Sequence, residues 1–386
     1  MEGRRWRNGV LAIVGTLLAL GIVMIASTSA LKTAAGGDPS WFLRKQILWA
    51  CIAAGGMLIA WHTDYHILGR YSLWILGGVM LLLLAVLIPG VGHEANGARR
   101  WIRFAGVGFQ PSEVAKLALI IFVSSAVTIG ATKTVVLGGL KKEVKGLGIA
   151  LAAIAGSLCL ILMEPDFGTA VLVGTLSVSV LFVAGIRLAH LIPLAAAGGV
   201  LGLYVMLTRF QHVRDRFATF LNPDLDPLGK GYQVRQSLLA LGSGGLMGEG
   251  LGESRQKLFF LPLEHSDFIF AVIGEELGMI GTFLVIGLFV AFIYCGYRIM
   301  SAAPDSLGYV MAFGIVILVG LQAALNIAVV TAALPTKGMP LPFISFGGSS
   351  LLISLVAVGI LLNIASQTGM PRHVPVRVYT SGRGAA

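Results

Sequence analysis

Charge is what this chain has least of. Asp, Glu, Lys and Arg make up only 12% of its 386 residues, hydrophobic residues make up 56%, and the mean hydropathy is +0.87. Soluble domains carry about 25% charged residues, so a water-soluble globule is excluded. Cysteine is scarce as well. Cys51, Cys159 and Cys295 each lie inside an apolar run, which excludes a disulfide framework, and none has a second ligand at zinc spacing. The formal charge of +10 is scattered through loops, so there is no compact basic domain for nucleic acid. The glycine-dense stretch GSGGLMGEGLGES (242–254) matches neither the phosphate-loop nor the dinucleotide fingerprint. It offers flexibility or close backbone approach to a ligand.

Long apolar runs are what the chain has in abundance. Ten of them, at about 9–30, 43–62, 72–91, 111–130, 147–163, 168–186, 190–208, 267–297, 307–331 and 347–366, read as membrane spans. The first follows Arg4, Arg5 and Arg7 but is long for a signal peptide, and reads as a retained helix. The expected fold is all-α: a polytopic membrane protein of about ten transmembrane helices within residues 1–366, with one large extracytoplasmic loop at 209–266 and a basic cytoplasmic tail at 367–386. Thirteen Lys and Arg fall on the N-terminal side of the membrane, seven in the short loops opposite and another seven in the long loop. The positive-inside rule then puts both termini in the cytoplasm.

That topology leaves GARRWIRF (97–104) as a positive patch on the outer face, where positive charge is normally avoided. An anionic ligand explains it; lipid headgroup contact is the plainer reading. Asp267, in LPLEHSDFIF (261–270), stands at the mouth of the eighth span. Burying an unpaired carboxylate there costs several kcal/mol, on the order of the usual ionic desolvation penalty. It reads either as a helix cap or as a general base, with Ser266 free to cap in the second case. Glu264 and His265 lack the i, i+4 spacing of a zinc pair. Glu275 and Glu276, deeper in the same span, read as members of a structural ion pair or as lining a polar cavity.

In QPSEVAKL (110–117), Pro111 and Glu113 suit a helix start, and Lys116 can pair with Glu113 one turn on. A lysine one turn inside a span implies a polar cavity beneath the surface. MEPDFGT (163–169) is a tight turn in which Glu164 and Asp166 are turn residues or site residues. The long loop carries Arg214 and Arg216 beside NPDLDP, with Val213, Phe217 and Phe220 spaced for a surface amphipathic segment. LPTKGMPLPFISFGGSS (334–350) adds Lys337 in irregular backbone, tolerated at membrane depth only where it is buried or lines a cavity. Together these residues suit a lipid with an anionic head. They leave open whether it is processed by an enzyme or moved by a carrier.

The motifs GARRWI, FQPSEVAKL, EPDFGTA, FLNPDLDPLGKGYQ, QSLLALGSGGLMGEGLGESRQK, LPLEHSDFIFAVIGEELG and LPTKGMPLPFISFGGSS occur in order along nearly the whole chain. In this it resembles the SEDS family of shape, elongation, division and sporulation proteins. EPDFGT and LPTKG look more like the FtsW-like and SpoVE-like branch than the RodA-like one. The resemblance implies a peptidoglycan glycosyltransferase that polymerises lipid II on the outer face of the bacterial cytoplasmic membrane. It also implies a class B penicillin-binding protein, a transpeptidase, and divisome proteins as partners. The family's essential aspartate falls on Asp267, with Ser266 in place of a threonine, and importance carries over to Arg100, Glu113 and Lys116. Phe346 stands where tyrosine is common. Asp267 is then expected to deprotonate the acceptor sugar hydroxyl while an undecaprenyl pyrophosphate-linked glycan acts as donor. Arg100, Lys116, Arg214, Arg216 and Lys337 become candidates to hold the pyrophosphate, and Glu113 belongs to the same substrate-binding set. No cofactor is expected to be tightly bound; a divalent cation, Mg or Mn, bridging the pyrophosphate is compatible with the family. The competing readings are a lipid II flippase, which the lack of an internal repeat disfavours, and a scaffold for the transpeptidase.

Overall fold

The computed structural model describes residues 2–29, 40–95, 98–104, 107–132, 140–222, 230–254 and 266–368. The chain begins with α1 (Glu2–Ser29), α2 (Trp41–His62), a short α3 (Tyr65–Arg70) and α4 (Ser72–Leu87). A three-stranded antiparallel sheet follows, β1 (Gly92–Ala95), β2 (Ala98–Phe104) and β3 (Val107–Phe109), paired in chain order. Then come α5 (Pro111–Thr132), α6 (Leu140–Met163), α7 (Phe167–Val183), α8 (Leu188–Arg209), α9 (Gln211–Leu221) and α10 (Lys230–Ser243). The chain closes with α11 (Ile269–Ser301), α12 (Ser306–Val330) and α13 (Gly348–Gln367). Every expected span is a helix. Among the described residues eight are long and apolar enough to cross a bilayer, and α4 and α7 are shorter apolar helices. Helix is the dictated choice because hydrocarbon offers no partners, so each backbone group must be bonded within its own segment. The protein is a multi-pass membrane protein.

The interior of the bundle is α5, α12 and α13, whose apolar residues are buried almost all round. α13 lies close against α2, and glycine permits it: a Cβ on Gly359 would lie 2.3 Å from the Met57 carbonyl oxygen. Small residues let helices approach where hydrophobic driving force is absent. At the periphery the pattern reverses. α8 buries only Leu191 and Met206 and leaves Val200, Leu201 and Tyr204 exposed, the surface expected where lipid is the solvent.

Three local outcomes differ from the sequence reading. The patch at 98–104 is a strand, β2, with Ile102 opposite Phe109 and His93 opposite Trp101. Neither Ser266 nor Asp267 caps α11; Phe268 holds the cap position and offers no side-chain bond there. The glycine-dense run makes its close approach to α11 itself. At Gly278 (φ 67°) the helix is kinked, and the gap is filled by loop backbone: Met279 N–H donates to Gly245 O at 2.9 Å and Glu249 N–H to Glu275 O at 2.9 Å. A Cβ on Gly278 would lie 2.3 Å from Gly248 N, so side chains are excluded from this seam.

Candidate active site

The site forms where the start of α11, the 331–347 loop and the start of α5 converge. Asp267 is partly buried, and its Oδ1 accepts from Ser266 Oγ at 3.1 Å. Its backbone is fixed from two sides. Asn326 Nδ2, on α12, donates to Asp267 O at 2.9 Å and to Met339 O at 2.6 Å. Ser345 Oγ donates to Ser266 O at 2.6 Å and accepts from Leu341 N–H at 2.7 Å. One asparagine and one serine thus fasten the Asp267 turn to the loop. Gly338 is where that loop passes the carboxylate: a Cβ there would sit 2.8 Å from Asp267 Oδ2.

α5 supplies the second part. Pro111 opens the helix, as its missing N–H allows. Lys116 Nζ lies 2.8 Å from Glu113 Oε2, both nearly fully buried, and donates to Gln322 Oε1 at 2.8 Å. Gln322 Nε2 in turn donates to Pro340 O at 3.0 Å and Ser350 Oγ at 3.2 Å. The expected Glu113–Lys116 pair is therefore present and tied to the same loop as Asp267.

The third part is the α6–α7 turn. Asp166 caps α7, accepting from Thr169 N–H at 3.1 Å and Thr169 Oγ1 at 2.9 Å. Arg100, reaching from β2, donates to Pro165 O at 2.8 Å and stands 3.8 Å from Asp166. The Lys337 side chain runs directly over Gly168, where a Cβ would overlap its Cε. Burial pushes the Lys337 amine down to about 7; the charges of Lys116 and Arg100 push the same way, against Asp166 and Glu113. Burial raises the Asp166 carboxyl, but the Arg100 and Lys337 charges and the Thr169 bonds outweigh it and leave it below its ordinary range. Arg216, partly buried on α9, lies within electrostatic reach of Arg100, Asp166 and Asp267.

Charge contacts therefore connect Asp267 through Arg216, Arg100, Asp166 and Lys337 to Lys116 and Glu113. Of the catalytic and substrate-binding candidates Asp267, Arg100, Glu113, Lys116, Arg214, Arg216 and Lys337, Arg214 is the one left aside: it is exposed on α9. Glu264 and His265 lie outside the described residues. Glu275 and Glu276, just before the Gly278 kink, each take a serine hydroxyl, from Ser254 and from Ser27 at 2.7 Å. Asn326 and Gln322 were missed. Their signal was there, two amides at i, i+4 in an otherwise apolar span, which places them on one helix face. Among the described residues no three His, Cys, Asp or Glu side chains are grouped as metal ligands.

A profile of the FtsW/RodA/SpoVE family of cell cycle proteins matches residues 8–369. The chain belongs to this family. It is similar to a probable peptidoglycan glycosyltransferase FtsW of Geobacter metallireducens, 41% identical over 367 residues that cover 95% of this chain and 96% of that one. Stage V sporulation protein E of Bacillus subtilis is 42% identical over 375 residues, covering 95% and 99%. Among solved structures, a chain described under "Structural coordination of polymerization and crosslinking by a peptidoglycan synthase complex" superposes with a TM-score of 0.74 at 26% identity. It covers 94% of this chain and 98% of that one. The rod shape determining protein RodA of Thermus thermophilus gives 0.67 at 25% identity, with 94% and 97% covered. Likeness to these FtsW and SpoVE proteins exceeds that to RodA, as EPDFGT and LPTKG lead one to expect.

Proposed function

We propose that this member of the FtsW/RodA/SpoVE family is a peptidoglycan glycosyltransferase that polymerises lipid II during division or sporulation, with Asp267 as general base. The observation that carries this is the half-buried Asp267 carboxylate, held by its backbone with Arg216 in electrostatic reach and the Lys337–Gly338 loop passing it, Arg216 and Lys337 being linked in turn to Arg100 and Lys116. Asp267 removes the proton from the 4-hydroxyl of the acceptor sugar. The freed oxygen attacks the anomeric carbon of the lipid-linked donor, and the bond to undecaprenyl pyrophosphate breaks with its electron pair on the departing phosphate. The cations offset the charge that develops there. The Lys and Arg distribution supports an orientation with both termini in the cytoplasm and the site on the outer face. The relative solved in a peptidoglycan synthase complex that coordinates polymerization and crosslinking supports a transpeptidase partner; that it is a class B penicillin-binding protein, with divisome proteins around it, rests on the family resemblance.

The test is purified protein with lipid II, wild type against Asp267→Asn, each with and without the transpeptidase. Glycan strands are expected from wild type and a loss of at least about a hundredfold from the variant. Undiminished polymer in Asp267→Asn removes the base assignment. Lipid II crossing vesicles with no polymer under any condition supports the flippase instead.

A further inference from the structure

One acid at the edge of the site has no role in the scheme above. Glu164, in the α6–α7 turn, is 0% exposed, and neither of its carboxyl oxygens has a hydrogen-bond partner among the described residues. An ionised carboxylate cannot persist there without a donor or counter-ion, because its desolvation is uncompensated. Among the described residues the cation within its electrostatic reach is Arg100, and its N–H groups are already engaged. Arg100 spends its N–H groups on the backbone of the same turn, at Glu164 O (3.4 Å) and Pro165 O (2.8 Å), and faces Asp166 at 3.8 Å.

We infer that Glu164 works as a neutral carboxylic acid, a positioning residue whose retained proton leaves the Arg100 charge available to an anionic substrate. The charge balance explains why this matters. With Glu164 neutral, Arg100 faces Asp166, which Lys337 and Arg216 share, while Asp267 also offsets Arg216 and Glu113 also offsets Lys337. Ionising Glu164 sets a second carboxylate against Arg100, draws the guanidinium toward it and lowers the local positive charge by one. Burial and the Asp166 charge push the Glu164 carboxyl up to about 8, with Arg100 opposing. Its proton is therefore held at neutral pH and shed in the alkaline range.

The inference rests on the phosphate-binding reading of Arg100, and the test is chosen to separate the two. The first measurement needs no catalysis. Wild type minus Glu164→Gln infrared spectra should show the C=O band of a protonated acid at pH 7, titrating away above pH 8; its absence at pH 7 overturns the inference. The second is the pH profile of KM for lipid II. In wild type KM should rise several-fold above pH 8 with kcat little changed. Glu164→Gln and Glu164→Leu, which carry no titratable proton, should lose that step. Lys337 also titrates, near 7, but is common to all three proteins. The same alkaline rise in all three overturns the positioning role. Failure of both variants to fold overturns it as well, since a neutral replacement would then not suffice.

Discussion

Lys116 and Arg216 both bring a cation to the site, from opposite kinds of structure. Lys116 sits on α5, inside the bundle, locked between Glu113 and Gln322, and Gln322 is bonded on to the loop that flanks Asp267. Arg216 sits on α9, an 11-residue amphipathic helix that continues from α8, the least buried of the long helices. The first is part of a fixed frame and the second part of an arm. In the frame, side chains hold one another before any substrate arrives. On the arm, position depends on few contacts, so substrate can contribute to it. Local stability follows contact density, and removing a residue from the frame should cost fold and chemistry together. Removing one from the arm should cost binding alone.

The largest effect expected is Asp267→Asn, which keeps shape and the Asn326 bond to the backbone but cannot take a proton. General-base catalysis contributes about 10²- to 10⁴-fold, and the loss should fall on kcat with the thermal midpoint in detergent unchanged. A large drop in midpoint would show that Asp267 belongs to the frame's stability instead. Next comes Lys116→Met. Breaking one side of a buried pair costs about 3–5 kcal/mol because the other charge is stranded. Denaturation in detergent should show a loss of that order, and Glu113→Gln with Lys116→Met should recover most of it.

How much of this was legible beforehand follows the same division. The spans were readable because an apolar run of bilayer length permits one conformation only. The Glu113–Lys116 pair was readable from its spacing alone. What fastens Asp267 was not, because Asn326, Ser345 and Gly338 lie 59, 78 and 71 positions downstream in sequence and meet it only in the fold. The glycine-dense run was misread for a related reason. Its composition announces close approach, but the object approached is the α11 backbone at Gly278, which composition cannot name. β2 was overlooked because ARRWIRF does not alternate cleanly: the register shifts between His93 and Glu94, paired with Trp101 and Arg99, and Arg100 is the extra residue between them.

Lys337 lies where the frame and the turn beneath Arg100 meet, and pH is the way to probe it. Its folded pKa of about 7 is below the ordinary 10.5, so between those values the unfolded chain binds the extra proton. Stability should therefore rise as pH goes from 7 toward 10 and be lost as it falls back. Lys337→Met should be flatter across that window and more stable than wild type near pH 7, as thermal midpoints across the range would show. A slope identical in both would mean that the amine is solvated in the folded state.

The smallest effects belong to the arm, and they separate two neighbouring arginines. Arg216 is partly buried and its charge reaches Asp166 and Asp267, while Arg214 is exposed two residues earlier on the same helix. An exposed charge is screened and contributes about 0–1 kcal/mol; one desolvated against an anionic headgroup contributes more. Arg216→Ala should raise KM for lipid II by about tenfold, or about 1.4 kcal/mol, with kcat and thermal midpoint little changed. Arg214→Ala should change KM by less than about twofold, within that screened range. Equal effects of the two would mean that α9 presents a diffuse positive surface to the membrane. A midpoint lowered by Arg216→Ala would mean that α9 is as firmly fastened as α5, and the distinction between frame and arm would be lost at the residue where it is sharpest.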